Sequence, residues 1–210
     1  MGRIALPDPP LLVITDRHQA RRSLLDLIEE ILAAGARWLM VREKDLPDPA
    51  LAEVVRGVLE RARRYGAVVM VNAAVEVAAA CGADGVHLPQ GVPVAEARRR
   101  LGPGRWIGVS VHSLAEAQRA AEAGADYITL SPIFPSISKP DYGPPLGLEV
   151  LRQVATAVPL PVIALGGVTP ENARRCLEAG AAGVAALGSV MAAADPRAVI
   201  QAYREALGSR

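Results

Sequence analysis

Lysine is almost missing from this chain. Of 23 basic residues only Lys44 and Lys139 are lysines. A flexible ammonium is not interchangeable with a planar guanidinium, so these two positions direct attention. Aromatic residues are scarce too, with one Phe, two Trp and four Tyr, so a core must come from Ala, Val, Leu and Ile. Cysteine is limited to Cys81 and Cys176, each late in a helical pattern beside small residues. That placement reads as buried, reduced thiols of a cytosolic protein rather than a disulfide or a metal site. A formal charge of +1 gives no general pull toward nucleic acid. The start, Met1 to Pro7, lacks the apolar region of a signal peptide. The longest apolar stretch, Ala181–Ala194, holds Gly and Ser and is too short to span a bilayer. The expectation is a cytoplasmic protein with no nucleic-acid and no membrane partner.

What is present is repetition. Ala34-Gly35-Ala36, Cys81-Gly82-Ala83-Asp84-Gly85, Ala123-Gly124-Ala125-Asp126 and Ala179-Gly180-Ala181-Ala182-Gly183 each follow an amphipathic helical pattern and precede an apolar run. Glycine there suits the left-handed residue that closes a helix. Repeated phrases of this kind point to repeated β/α units. Short, Val- and Ile-rich runs predict strands at Leu11–Thr15, Trp38–Val41, Val68–Val71, Gly85–Leu88, Trp106–Val109, Tyr127–Leu130, Pro161–Leu165 and Gly183–Leu187. Helices are predicted at Arg22–Ala34, Pro49–Tyr65, Ala74–Cys81, Val94–Leu101, Ser113–Ala123, Leu148–Ala157, Pro170–Ala179 and Pro196–Leu207. Ser113, Thr169 and Asp195 are good N-caps, and Pro170 and Pro196 suit the first helical position. The fold class is therefore α/β, a single (β/α)8 TIM barrel over residues 1–210. The doubly wound open sheet is the alternative, but no GxGxxG turn follows the first strand. The longest connection, Ser131–Gly147, is rich in Pro, Ser and Gly, and reads as an active-site loop that acts as a lid.

In such barrels chemistry sits at the C-terminal ends of the strands. The residues there are cationic and rich in hydrogen-bond donors. Arg42 and Lys44 alternate along one strand end and point the same way, which suits a diphosphate or a carboxylate, while Glu43 points away. The bland alternative is a salt bridge to Asp16 or Asp141. Asn72 either binds a ligand or caps the following helix. Gly166-Gly167 and Gly188-Ser189, after the seventh and eighth strands, suit backbone binding of a phosphate monoester. Tight turns would also explain those glycines. His112 follows Ser110 by two and is the candidate acid/base group, with a helix-start hydrogen bond as the alternative. His87 reads as a core imidazole supporting the site, and His18 as a surface residue. The arginines of Arg61–Arg64 and Arg98–Arg100 lie near helix C-termini, where positive charge is favoured anyway.

Several motifs together resemble the thiamine phosphate synthase / thiazole tautomerase (TenI-like) family. They are Met40-Val41-Arg42-Glu43-Lys44, Val71-Asn72, Asp84-Gly85-Val86-His87-Leu88-Pro89-Gln90, Ile107-Gly108-Val109-Ser110-Val111-His112-Ser113, Ala125-Asp126-Tyr127, the run from Ser131 to Lys139, and Leu165-Gly166-Gly167-Val168. The match runs in order through nearly the whole chain. The resemblance implies a synthase that joins a pyrimidine diphosphate to a thiazole phosphate and releases diphosphate. It would assign Arg42, Lys44, Asn72, Ser110 and Lys139 to the diphosphate, with Ser136 and Ser138 close by. Gly167 and the Gly188-Ser189 turn would hold the thiazole phosphate. It also implies a homodimer.

The chain departs from the synthase pattern at three places. The synthase resembled here holds Mg²⁺ with two aspartates; this chain has Ala73 at the first and Gly91-Val92 at the second, and Met40 replaces a Gln. Mg²⁺ and its hard oxygen ligands offset the charge of a leaving diphosphate. Loss of both carboxylates resembles the tautomerase branch, which aromatises a carboxylated thiazole phosphate by proton transfer without a metal. That branch carries a histidine after the sixth strand, where this chain has Ser131-Pro132. The expected function is thus a thiazole tautomerase acting on a small phosphorylated thiazole, with no cofactor and no metal ligand. The alternative is a divergent thiamine phosphate synthase, which alone would call for Mg²⁺. A second alternative is a non-catalytic thiazole- or thiamine-phosphate-binding regulator.

Overall fold

A computed structural model describes residues 5–135 and 144–208. The strands are β1 (Leu11–Ile14), β2 (Trp38–Val41), β3 (Val68–Asn72), β4 (Gly85–Leu88), β5 (Trp106–Val111), β6 (Tyr127–Leu130), β7 (Val162–Ala164) and β8 (Gly183–Ala186). The helices between and after them are α1 (Leu24–Ala33), α2 (Asp48–Arg64), α3 (Val75–Cys81), α4 (Val94–Leu101), α5 (Leu114–Glu122), α6 (Gly147–Ala157), α7 (Pro170–Glu178), α8 (Gly188–Met191) and α9 (Pro196–Leu207). All neighbouring strands run parallel, and β1 pairs with β8, so the sheet closes on itself as the sequence predicts. The unforeseen element is α8. Four residues make about one turn, too few to show a helical period.

Alternation along each strand separates two apolar regions. Leu12, Ile14, Trp38, Met40, Met70, Tyr127, Ile163 and Ala185 fill the barrel interior. Leu11, Val13, Leu39, Val41 and their counterparts face the helices. The few aromatics concentrate inside. The Trp38 ring meets Trp106 edge-on at 6.0 Å between centroids and Tyr127 at 5.0 Å. Small residues make the room. A Cβ at Gly85 would strike the Trp106 carbonyl, and one at Gly108 would strike the Tyr127 ring and the His87 Nδ1.

The recurring Gly-Ala-Asp phrase has a structural reason. The Asp84 N–H donates to the Val69 carbonyl (3.0 Å), and its carboxylate accepts the Val69 N–H (2.8 Å). Asp126 repeats this with Ile107, at 2.8 and 2.7 Å. Each aspartate fastens its own strand to the start of the strand before it, at the N-terminal end of the barrel.

The capping expectations hold for Ser113, whose hydroxyl accepts the Glu116 N–H, and for Asp195, which accepts from Ala198. At α7 the Asn172 side chain accepts the Thr169 N–H. The two cysteines are free: Cys81 is half-buried, and burial raises the Cys176 thiol to about 11. Among the described residues no helix is long and apolar enough to cross a membrane.

Candidate active site

The C-terminal rim of the barrel collects groups of two kinds, cationic side chains on one side and backbone N–H groups on the other. Arg42 continues the inward-facing series Trp38 and Met40, so its side chain belongs to the mouth. Thr15 and Glu43 continue the outward series. The Thr15 hydroxyl donates to Glu43 (2.6 Å) and accepts the Arg42 N–H (2.9 Å). The other Glu43 oxygen accepts from the Arg17 N–H and guanidinium, at 3.0 and 3.1 Å. Glu43 is thus buried and satisfied beside β1, turned from the mouth as its parity predicts. Arg17 also grips Asp45, which holds that carboxyl well below its usual range.

Neither the Arg42 guanidinium nor the exposed Lys44 ammonium has a hydrogen-bond or ion-pair partner among the described residues. The salt bridge to Asp16 that the sequence left open does not form. Asp16 instead accepts from the His18 N–H and the Gln19 amide. Asp141, like Ser136, Ser138 and Lys139, lies outside the described residues.

Asn72 ends β3 and is half-buried. It does not cap α3: Ala74 is the N-cap residue, with no side-chain bond. Next to it Ala73 has φ 61°, the left-handed region that Asn, Asp or Gly enters more readily than Ala. Met40 lies inside the barrel.

Ser110 sits above a buried polar chain. Its hydroxyl is 2.9 Å from His87 Nε2, and the opposite ring nitrogen is 3.0 Å from the Tyr127 hydroxyl. Burial pushes the His87 pKa down to about 3 and raises that of Tyr127, so both are neutral at ordinary pH. His87 is therefore the core imidazole the sequence suggested. His112 is pinned at two points. Its N–H donates to Glu116 in the first turn of α5 (2.6 Å), and its Nδ1 donates to the Ser131 carbonyl (2.8 Å). In the neutral ring Nε2 is then the basic nitrogen.

The glycine turns divide. At Gly166 and Gly167 φ is 90° and 63°. A Cβ on Gly166 would collide with the Pro132 backbone, and one on Gly167 with Phe134 and Pro135. These glycines let the base of the β6–α6 connection lie flat on the β7 turn, a packing reason that the sequence did not reveal. The Ile133 and Phe134 N–H groups bond to the Leu165 and Gly166 carbonyls there. The Gly167 carbonyl is taken by Asn172 and the Val168 carbonyl by the Tyr203 hydroxyl, both at 2.9 Å. A trans peptide sets each N–H opposite the C=O of the residue before it, so the Gly167 N–H faces away from Phe134, which bonds the Gly166 carbonyl, and the Val168 N–H faces away from Asn172. Neither has a partner among the described residues. Gly188 and Ser189 open α8, whose first N–H groups have no acceptor within the helix.

The Ser189 side chain has a partner of its own: its hydroxyl lies 2.9 Å from the buried Tyr203 hydroxyl. Tyr203 gives its own proton to Val168, so Ser189 donates to Tyr203. Only the Ser189 backbone remains for a ligand. Tyr203, Tyr127 and Asn172 are the supporting residues that sequence reasoning missed, whereas Thr15 was already placed at the end of the first strand. A signal existed for Tyr127 alone, in Gly108.

The match to the thiamine monophosphate synthase family model covers residues 11–190. The chain belongs to that family. A "Putative thiamine-phosphate synthase" of Geobacter sulfurreducens is 46% identical over 196 residues, 92% of each chain. The thiamine-phosphate synthase of Roseiflexus castenholzii is 42% identical over 94% of this chain and 88% of its own. Among solved structures, thiamine phosphate pyrophosphorylase from Pyrococcus furiosus superposes with a TM-score of 0.85, at 35% identity, over 94% of this chain and 95% of that one. These relatives favour the alternative reaction over the expected one. They carry the name of the synthase, a transferase, and not that of the tautomerase. The absent aspartates, which turned the sequence reading toward the isomerase, are a departure within a chain otherwise like synthases.

Proposed function

We propose that this protein is a thiamine phosphate synthase. It would transfer the pyrimidine methylene group from a pyrimidine diphosphate to the ring nitrogen of a thiazole phosphate. The observation that carries the reading is the rim itself. Arg42 and Lys44 have no ion-pair partner among the described residues and share the C-terminal rim with Asn72 and Ser110, and the N–H groups of two turns lie at β7 and β8. A diphosphate carries about three negative charges near neutral pH, and bond breaking concentrates charge on the leaving oxygen. Arg42 would hold it by a forked contact and Lys44 as a point charge. The Gly166-Gly167 and Gly188-Ser189 turns would seat the thiazole phosphate, aiming its ring nitrogen at the methylene carbon. The C–O bond to diphosphate breaks as the C–N bond forms. Positioning of this kind supplies much of the rate.

The fit of the family's Mg²⁺ is poor. Both oxygens of Glu43 are bonded to Thr15 and Arg17, and both oxygens of Asp16 to His18 and Gln19. Among the described residues no group of three His, Cys, Asp or Glu side chains is placed to hold a metal ion. Ala73 offers no ligand.

The test is direct. The protein is mixed with pyrimidine diphosphate and thiazole phosphate, with Mg²⁺ or with EDTA, and thiamine phosphate is measured. Product above the uncatalysed rate is expected. If no product forms in either condition while the carboxylated thiazole phosphate is aromatised faster, the enzyme is the isomerase instead.

A further inference from the structure

We propose that Tyr127 and His87 form a one-way hydrogen-bond relay that turns the Ser110 hydroxyl proton outward, toward the anion bound at the rim. Tyr127 and His87 would be positioning residues, with only Ser110 touching the ligand. The identity of that anion as a diphosphate rests on the function proposed above; the relay itself does not.

Three strands place the relay. In the sheet register His87 on β4 faces Gly108 on β5, and Gly108 faces Tyr127 on β6. The three positions lie side by side, and the middle one has no side chain. A Cβ at Gly108 would overlap both the Tyr127 ring and His87 Nδ1. The missing side chain is thus what lets the phenol reach the imidazole across an intervening strand. Two residues further along β5, on the same inward face, stands Ser110.

The direction of the proton chain follows from what each group is able to give. The Tyr127 hydroxyl is buried, and its one hydrogen-bond partner among the described residues is His87 Nδ1, at 3.0 Å. If the imidazole donated from Nδ1, the phenol proton would be left without an acceptor in the barrel interior, the costlier arrangement. So the phenol donates, Nδ1 accepts, and the ring carries its proton on Nε2. Nε2 is 2.9 Å from Ser110 Oγ and 3.3 Å from Thr129 Oγ1, so the main donation goes to Ser110. Burial keeps the ring neutral, which removes the doubly protonated form.

The consequence is for Ser110. A serine hydroxyl next to an imidazole acceptor gives that acceptor its proton and shows a lone pair to the outside. A lone pair repels an anion. Ser110 next to an imidazole donor keeps its own proton and presents that instead. The relay thus sets the sign of the dipole that the anion meets, without placing any charge inside the barrel.

Two readouts test this. The first is the ¹⁵N spectrum of the full-length protein labelled at histidine. Two-bond couplings in wild type are expected to show His87 protonated on Nε2; protonation on Nδ1 overturns the proposal. The second uses inorganic diphosphate and inorganic phosphate as probes. Tyr127→Phe is expected to weaken diphosphate binding about tenfold, to leave phosphate binding at the glycine turns unchanged, and to mix the His87 tautomers. Ser110→Ala should lose about as much, and the double variant no more than Ser110→Ala alone. Additive losses, or equal losses for both probes, would mean a purely structural role and overturn the relay. If Tyr127→Phe does not fold, the wild-type tautomer and the Ser110→Ala binding split decide. A protein that passes both tests but makes no thiamine phosphate keeps the relay and loses the proposed reaction.

Discussion

At the N-terminal end of the barrel, Asp84 and Asp126 are each bonded to a strand N–H, Arg98 is paired with Asp126, and Arg37 and Arg105 are bonded to backbone carbonyls. At the opposite end, Arg42 and Lys44 have no partner among the described residues, and neither do the Gly167 and Val168 N–H groups. Arginine stands at both ends. What differs is how far the fold has used it: the polar side chains named at the first end are bonded within the sheet, whereas at the rim Thr15, Arg17 and Glu43 are bonded and Arg42 and Lys44 are left over among the described residues. Stability and affinity should accordingly come apart when the ends are altered separately.

The largest effect should come from the closed end. Trp38 is fully buried and packs on Trp106 and Tyr127. Trp38→Ala is expected to lower unfolding free energy by about 3–5 kcal/mol in urea titration. A loss under 1 kcal/mol would mean that the interior collapses around the gap. At the open end, Arg42→Ala and Lys44→Ala should each reduce kcat/KM by roughly a hundredfold or more with Tm unchanged. An altered Tm with intact kinetics would erase the contrast between the ends.

His87 lies between the two regions, and its contribution is set by pH. Its folded pKa, about 3, is below the unfolded value, so below about pH 6.5 the unfolded chain binds the extra proton. Stability from this group is present above that pH and declines as pH falls toward 3. The decline reaches about 2 kcal/mol by pH 5, measured as the difference from a folded His87→Gln variant. Equal acid sensitivity in both proteins would count against a neutral buried ring. Asp126→Asn keeps an acceptor for Ile107 but weakens the pairing with Arg98. It should cost about 1 kcal/mol in Tm-derived stability without changing KM. The smallest effect belongs to Ala73, at φ 61°. Ala73→Gly relieves that conformation and should stabilise by about 0.5–1 kcal/mol; destabilisation would show that the alanine methyl packs usefully.

The barrel was legible because its signals are local. Each apolar run, each closing glycine and each N-cap is readable within a dozen residues, and the recurrence of Gly-Ala-Asp multiplies them. At the rim, strand parity was enough to aim Arg42 inward and Glu43 outward. Beyond that, the site depends on contacts between distant segments. Nothing near Ser189 announces that its hydroxyl is taken by Tyr203, and nothing near Gly167 announces that Phe134 presses on it. The reaction was harder still. Two missing aspartates are a local signal and turned the reading toward an isomerase, whereas likeness over the whole chain favours the transferase.

Tyr203 belongs to the final helix, yet it joins the turn after β7 to the turn after β8 through Val168 and Ser189. A polypeptide ending just before it would still possess every strand of the sheet. It would nonetheless lose a side chain that bonds both turns at once, so a residue remote along the chain helps to set the spacing of the two turns proposed to seat the phosphate.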